Sequence, residues 1–91
     1  MKVRAHVIVS GRVQGVFFRA RTMQEALRQG VRGWVRNIND GRVESVFEGE
    51  ENAVDAMIDF CQKGPTGAVV LGVDVKWEPF RSEFNDFKIR H

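Results

Sequence analysis

The chain has 91 residues, of which 43% are hydrophobic and 29% charged, and it carries a formal net charge of +2. This length is at the small end of the range for a single globular domain, so we expect one domain over residues 1–91. The mild positive charge fits a small anionic substrate, and it does not establish nucleic-acid binding, because acidic residues are interspersed along the chain.

The chain offers no sequence feature of a secreted or membrane protein. Its single cysteine, Cys61, cannot form an intramolecular disulfide, which favours a reducing compartment. No stretch has the length of a membrane span, and the start lacks the apolar region and cleavage site of a signal peptide. We therefore expect a cytoplasmic protein that does not associate with membranes.

The chain begins with a predicted strand followed by a loop. Apolar residues alternate with other residues over positions 3–9, which is typical of a strand with one face toward a core. The segment Ser10–Gly15 then contains two glycines and predicts a loop. The inward-facing positions of the strand are Val3, Ala5, Val7 and Val9.

A helix is predicted directly after this loop, from Phe18 or Arg19 to Gln29. Its apolar positions recur at helical spacing, and Gly30 stands where a helix C-terminal glycine is expected. The amino end of the helix therefore faces the loop. The predicted apolar stripe consists of Ala20, Met23 and Leu27, with Ala26 beside them.

A β-hairpin is predicted next. Residues 31–37 favour a second strand, and residues 42–47 alternate again as a third strand that ends by Gly49. Between them, Asn39-Asp40-Gly41 is a turn signal.

The remaining residues predict a helix and one or two strands. Glu50 and Glu51 suit the first helical turn, and Gly64-Pro65 ends the helix. A strand follows over residues 68–77, and a short terminal strand is indicated near residues 84–89. The predicted helix stripe is Val54, Met57, Ile58 and Cys61, and the strand face is Val69, Leu71, Val73, Val75 and Trp77.

The predicted order is β-α-β-β-α-β, which is the split βαβ arrangement. We expect an α+β, ferredoxin-like sandwich with a four-stranded antiparallel sheet and two helices on one face. This fold serves many functions, so the function has to be argued from a site.

Residues 11–19 offer the best candidate for such a site. They join a strand to a helix amino terminus, where unpaired amides and the helix dipole favour an anion. Gly15 lets successive amides converge, and Arg19 adds donors suited to phosphate oxygens. The segment has no lysine, so it is not a Walker loop. On these residues alone, a solvated arginine beside a glycine turn stays the commoner interpretation, and Asn37 is commonly a turn starter.

Both segments resemble the signatures of the acylphosphatase family. Residues 11–19 match the pattern G-x-V-Q-G-V-x-F-R, and residues 33–44 match G-W-V-x-N-x-x-D-G-x-V-E. Residues 64–70 resemble its G-P-x-x-A-x-V, and residues 87–90 resemble its F-x-I-R ending. The chain departs from many relatives in having no tyrosine near its carboxyl end, where it finishes with His91.

The resemblance implies hydrolysis of acyl phosphates to a carboxylate and inorganic phosphate, without a metal or other cofactor. It implies that Arg19 clamps the phosphate, that Asn37 positions the attacking water, and that an oxygen of the substrate phosphate acts as base. We also expect a monomer that binds no nucleic acid. The implied phosphate cradle consists of Gln14, Gly15, Val16, Phe17, Phe18 and Arg19.

The other polar candidates have structural interpretations. We expect His6 to be a surface strand residue and Cys61 a buried core thiol. The acidic residues of the second helix region, Glu50, Glu51, Asp55 and Asp59, are expected to form a solvated face.

Other functions for this fold remain as alternatives. An RNA-recognition domain needs aromatic residues in its central strands, and the third strand has only Phe47. A metal-carrying domain needs a Cys-x-x-Cys loop, which is absent. An effector-binding domain would normally accompany a catalytic domain. Acylphosphatase-like domains also occur in a larger hydrogenase-maturation protein that handles carbamoyl phosphate.

Overall fold

The computed structural model describes residues 1–91, which form five strands and two helices. The first six elements follow the predicted β-α-β-β-α-β order, and the ferredoxin-like α+β fold is confirmed. Neither helix combines the length and apolar composition that a membrane-spanning helix needs. The elements are β1 Lys2–Arg12, α1 Phe18–Gln29, β2 Arg32–Asn37, β3 Val43–Glu50, α2 Glu51–Lys63, β4 Val69–Glu78 and β5 Phe87–Arg90.

The sheet has five strands in the order β4-β1-β3-β2-β5, so the predicted four-stranded antiparallel sheet needs correction. The first four strands pair antiparallel, as expected, but β5 pairs parallel to β2. The reason is the path of residues 79–86. They cross from the β4 edge to the opposite edge, so that the chain re-enters the sheet beside β2 and runs in the same direction.

The hydrophobic core lies between the helices and one face of the sheet. From β1 it takes Ala5, Val7 and Val9, which are fully buried. From α2 it takes Val54, Met57 and Cys61, while Ile58 packs at its margin, so the predicted α2 stripe is confirmed. Burial raises the pKa of the Cys61 thiol to about 12, as expected of a core cysteine.

The buried face of α1 agrees only in part with the predicted one. Ala26 is buried and Met23 packs at the core margin, as predicted, but Ala20 is exposed and the Leu27 side chain is 61% exposed. Phe18 and Thr22 are buried in their place. The helix is rotated because Phe18 enters the core at the first turn, with its ring 6.3 Å from that of Phe60. Because Phe18 is buried, the residues four and eight positions later, Thr22 and Ala26, also face the core, and Ala20 and Leu27 face solvent.

A β-bulge explains the errors at the start of β4. The register of β1 against β4 shifts between Ser10 and Gly11, so the inward alternation of β4 changes phase at Leu71. Leu71 is therefore 80% exposed and Val69 52% exposed, in contrast to the prediction of one continuous apolar face. Trp77, at the other end of this edge strand, is 51% exposed.

The bulge also lengthens β1. Gly11 and Arg12 pair with Val70 and Val69 and continue the strand, so the predicted loop over Ser10–Gly15 begins only at Val13. The connection from β1 to α1 is consequently short, and its residues are held at both ends by regular structure.

Glu48 holds the 79–86 connection in place. Its carboxylate is buried and accepts hydrogen bonds from the backbone N–H groups of Arg81 (2.9 Å) and Glu83 (3.0 Å). It also accepts one from the Arg4 guanidinium at 3.2 Å, and Arg4 in turn pairs with Glu78. Burial alone would raise the pKa of Glu48, but these hydrogen bonds outweigh it and lower that pKa.

Candidate active site

The connection between β1 and α1 borders a cavity of about 420 Å³. The cavity brings together Arg19 from the start of α1 and Asn37 from the end of β2. It is thus built from segments far apart in the chain. Its lining consists of Val13, Gly15, Phe17, Phe18, Arg19, Ala20, Asn37, Ile89 and His91.

The loop backbone is rich in amides that have no partner within the protein. From Gln14 to Ala20 no backbone N–H donates a hydrogen bond, and the first to do so is that of Arg21, to the Phe17 carbonyl at 3.0 Å. Gly15 and Phe17 both have positive φ, at 75° and 62°, which curls the chain just before the helix. No side chain caps α1 and no acidic residue lies in its first turn, so nothing neutralises the positive end of its dipole.

Arg19 stands in the first turn of α1, half-buried at the wall of the cavity. It takes part in none of the ion pairs of the protein. Its guanidinium therefore has its donors available for an anion, and its planar fork suits two phosphate oxygens at once.

Asn37 has a buried amide oxygen without a hydrogen-bond partner, the only such side-chain atom in the protein. A buried acceptor without a hydrogen bond lowers the free energy of unfolding by about 1–3 kcal/mol. The stability of the fold therefore does not explain why this oxygen is kept without a partner. The β2–β3 turn does not explain it either, because other side chains bond its backbone, among them Asp40, which accepts from Arg42 N–H at 3.1 Å. Asn37 thus borders the Arg19 cavity and carries a buried acceptor that the turn does not use.

Gln14 connects the loop to the hairpin. Its side-chain amide donates to the carbonyls of Ile38 (2.8 Å) and Arg42 (3.0 Å), which close the β2–β3 turn. The bridge fixes the loop relative to the strand end that carries Asn37. Sequence reasoning assigned Gln14 to the cradle and missed this contact, for which no local signal exists because the partners lie 24 and 28 positions away.

The predicted site residues divide into two groups. Gly15, Phe17, Phe18, Arg19 and Asn37 line the cavity, whereas Gln14 and Val16 do not. Val16 packs against the core instead, so it can contribute only its backbone amide. Sequence reasoning missed four further lining residues, namely Val13, Ala20, Ile89 and His91.

The other polar candidates lie outside the cavity. His6 is on the sheet face opposite the helices, with its Nε2 atom 2.6 Å from the Glu44 carboxylate. Burial would raise the pKa of Glu44, but hydrogen bonds from His6 and Arg36 outweigh it and lower that pKa. The acidic residues of the α2 region, Glu50, Glu51, Asp55 and Asp59, are exposed, as predicted.

Comparisons with known proteins agree on one family. Residues 5–89 match the family model described as Acylphosphatase. The chain is 55% identical over 89 residues to an acylphosphatase of Syntrophus aciditrophicus, covering 98% of this chain and 93% of the relative. Its structure resembles the crystal structure of acylphosphatase from Bacillus subtilis, with a TM-score of 0.94, 35% identity and coverage of 98% and 99%. An acylphosphatase structure from Coxiella burnetii gives a TM-score of 0.93 at 35% identity, with coverage of 98% and 93%.

Proposed function

Because the chain belongs to the acylphosphatase family and hydrolyses acyl phosphates to a carboxylate and inorganic phosphate, we propose that Arg19, Asn37 and the loop amides carry this reaction. One observation supports the assignment above all others. Asn37, whose buried amide oxygen has no partner, borders the same cavity as a guanidinium without an ion pair and a loop of unbonded amides.

Phosphate binding falls to the loop and Arg19. In the proposed complex the amides of residues 14–19 and the Arg19 fork donate to the three non-bridging phosphate oxygens. Phosphoryl transfer passes through a loose transition state in which charge is spread over these oxygens. Donors already fixed around them stabilise that charge without having to reorganise during the reaction.

Asn37 is proposed to hold the attacking water. Its amide oxygen accepts a hydrogen bond from the water, which directs the water oxygen toward phosphorus. As the new P–O bond forms, the bond from phosphorus to the acyl oxygen breaks and its electron pair leaves with the carboxylate. The proton of the water passes to a phosphate oxygen, giving inorganic phosphate. A carboxylate is a good leaving group, so no separate general acid is required.

Arg19→Ala tests the phosphate clamp. We expect kcat for benzoyl phosphate to fall by roughly a hundredfold or more and competitive inhibition by inorganic phosphate to weaken. Arg32→Ala is the matched control, because Arg32 is an exposed arginine of β2 that borders a different pocket. Unchanged turnover and unchanged phosphate inhibition in Arg19→Ala would contradict the assignment.

Asn37→Ala tests the water holder. We expect kcat to fall by roughly a hundredfold while inhibition by phosphate stays nearly constant. Since the variant also removes an unsatisfied buried acceptor, its free energy of unfolding should be equal to or greater than that of the parent. Asn39→Ala, at an exposed turn position, is the control. A normal kcat in folded Asn37→Ala would remove Asn37 from the mechanism.

The remaining predictions concern the state of the enzyme. We propose that it acts without a metal, so that turnover should be the same with and without a strong chelator. We also propose a monomer in the cytoplasm, which sedimentation of the purified protein and fractionation of its source cells would test.

A further inference from the structure

A large apolar surface of α1 faces solvent beside the phosphate cavity. Phe17 is 79% and Leu27 61% exposed, although both are large hydrophobic residues. They border an open groove of about 610 Å³, which we call the α1 groove. The α1 groove is lined by Phe17, Ala20, Arg21, Met23, Gln24 and Leu27.

The α1 groove adjoins the catalytic cavity. Phe17 and Ala20 line both spaces, so these two residues mark the boundary that a molecule bound at Arg19 would pass to reach the groove. Phe17 has a φ of 62°, a left-handed conformation that side chains other than glycine rarely adopt. The backbone conformation serves the curl of the loop, but the exposure of the aromatic ring at the boundary is unexplained by packing and points to a binding role.

We propose that the α1 groove binds the acyl group of the substrate and selects acyl phosphates with long apolar acyl groups. This inference rests on the phosphate site proposed above. With the phosphate held by the loop, the acyl oxygen points out of the cradle. In the proposed complex it points toward Phe17 and Ala20, which lie where the cavity meets the groove. The groove extends along α1 from Phe17 to Leu27, which is about 15 Å at the helical rise. A medium-length alkyl chain or an aryl group can follow it, whereas the single methyl of an acetyl group cannot.

The chemistry of the groove fits this occupant better than a charged one. Arg21 is its only charged lining residue, and no carboxylate borders it to repel a phosphorylated substrate. The apolar side chains of Met23 and Leu27 lie farther from the cradle than Ala20 does. The groove thus offers apolar contact where the far end of an acyl chain would lie.

The test compares kcat/KM for octanoyl phosphate, below its micelle concentration, with kcat/KM for acetyl phosphate. A fully buried methylene contributes roughly a fourfold gain, and an open groove buries only part of each one, so we expect octanoyl phosphate to be preferred at least about tenfold. Leu27→Gln should reduce this preference by roughly three- to tenfold while acetyl phosphate hydrolysis stays within about twofold. Leu71→Gln is the control, because Leu71 is an exposed leucine that lines neither space.

Three results would overturn the proposal. The first is equal kcat/KM for the two substrates, and the second is a preference that Leu27→Gln leaves unchanged. The third is a concentration-dependent dimer that Leu27→Gln dissociates without altering the preference, since the groove would then be a self-association surface. Failure of the phosphate site would look different, because Arg19→Ala would then keep its activity on both substrates.

Discussion

Replacing Gln14 with methionine is expected to slow hydrolysis more than it destabilises the fold. Methionine keeps the length of the side chain but removes the two hydrogen bonds to the Ile38 and Arg42 carbonyls. These bonds are the side-chain link between the phosphate loop and the strand end that carries Asn37. Without them the cradle and the proposed water holder lose their fixed separation.

The expected loss of stability follows from the partners that remain. Each carbonyl keeps one donor, because Gly41 N–H still bonds Ile38 at 3.1 Å and Ile38 N–H still bonds Arg42 at 2.9 Å. No acceptor is left unsatisfied, so each lost bond costs about 0.5–1 kcal/mol and the pair about 1–2 kcal/mol. This corresponds to a fall in Tm of about 5–15 °C for a domain of this size.

The expected loss of activity is larger. A displacement of about 1 Å in a catalytic group can reduce the rate by roughly a hundredfold, so we expect kcat/KM to fall ten- to a hundredfold. Steady-state hydrolysis of benzoyl phosphate well below the lowered Tm, together with urea unfolding, measures both quantities. Gln62→Met, at an exposed position of α2, controls for the substitution itself. Gln14→Met with reduced stability but kcat/KM within about twofold of the parent would show that the bridge supports only the fold.

Three further predictions concern stability and reactivity. Glu48→Gln should cost about 1.5–3 kcal/mol near neutral pH, because it removes the charge-assisted hydrogen bond with Arg4, which keeps its pairs with Glu78 and Glu83. Folding lowers the pKa of Glu48, so its contribution to the free energy of unfolding is present above the unfolded-state pKa and is lost as the pH falls through the folded-state pKa. The free energies of unfolding of parent and variant should therefore converge in acid. A difference that stays constant with pH would refute this. Gly33→Ala should lower the free energy of unfolding by at least about 3 kcal/mol, because a Cβ there would lie 1.8 Å from a β3 carbonyl oxygen. Gly72→Ala is the control and should be nearly neutral, because Gly72 has open space around it. Equal Tm values for the two variants in thermal unfolding would refute the steric argument. Cys61 should react with iodoacetamide only after denaturation, because it is fully buried and its pKa is raised to about 12. Rapid labelling of the native protein, detected by mass spectrometry, would contradict this.

Elements with strong local signals were predictable from the sequence. Gly30 ends α1 in a left-handed conformation, as its position indicates, and its N–H bonds the Leu27 carbonyl. The Asn39-Asp40-Gly41 turn joins β2 and β3 as predicted. In each case the residues that decide the structure lie within a few positions of one another.

Features decided by distant contacts were not predictable in the same way. The face of α1 that is buried depends on the meeting of Phe18 with Phe60, and the phase of β4 depends on a bulge opposite Gly11. The sequence indicated the short terminal strand itself, but its place beside β2 depends on the 79–86 connection that Glu48 holds across the sheet. Tertiary packing overrides periodicity at all three places.

The candidate site shows the same division. Arg19 and Asn37 stood out only once two segments matched a family signature, because each residue alone is typical of a helix start or a turn. The cavity that joins them, and the unpartnered state of the Asn37 oxygen, depend on the folded sheet. Ile89 and His91 reach the cavity only because β5 lies beside β2, which no short-range pattern indicates.

The pairing of the first strand with β4 has a consequence for synthesis of the protein. Arg4 and its partner Glu78 are 74 positions apart, so β1 leaves the ribosome long before this neighbour exists. Until then its valine-rich edge is open to pairing with other nascent chains, and closing so long a loop is slow. Helix formation along the way does not cover that edge. A chain halted before Val69 is therefore vulnerable to aggregation, and the hazard ends once β4 has left the ribosome and paired with β1.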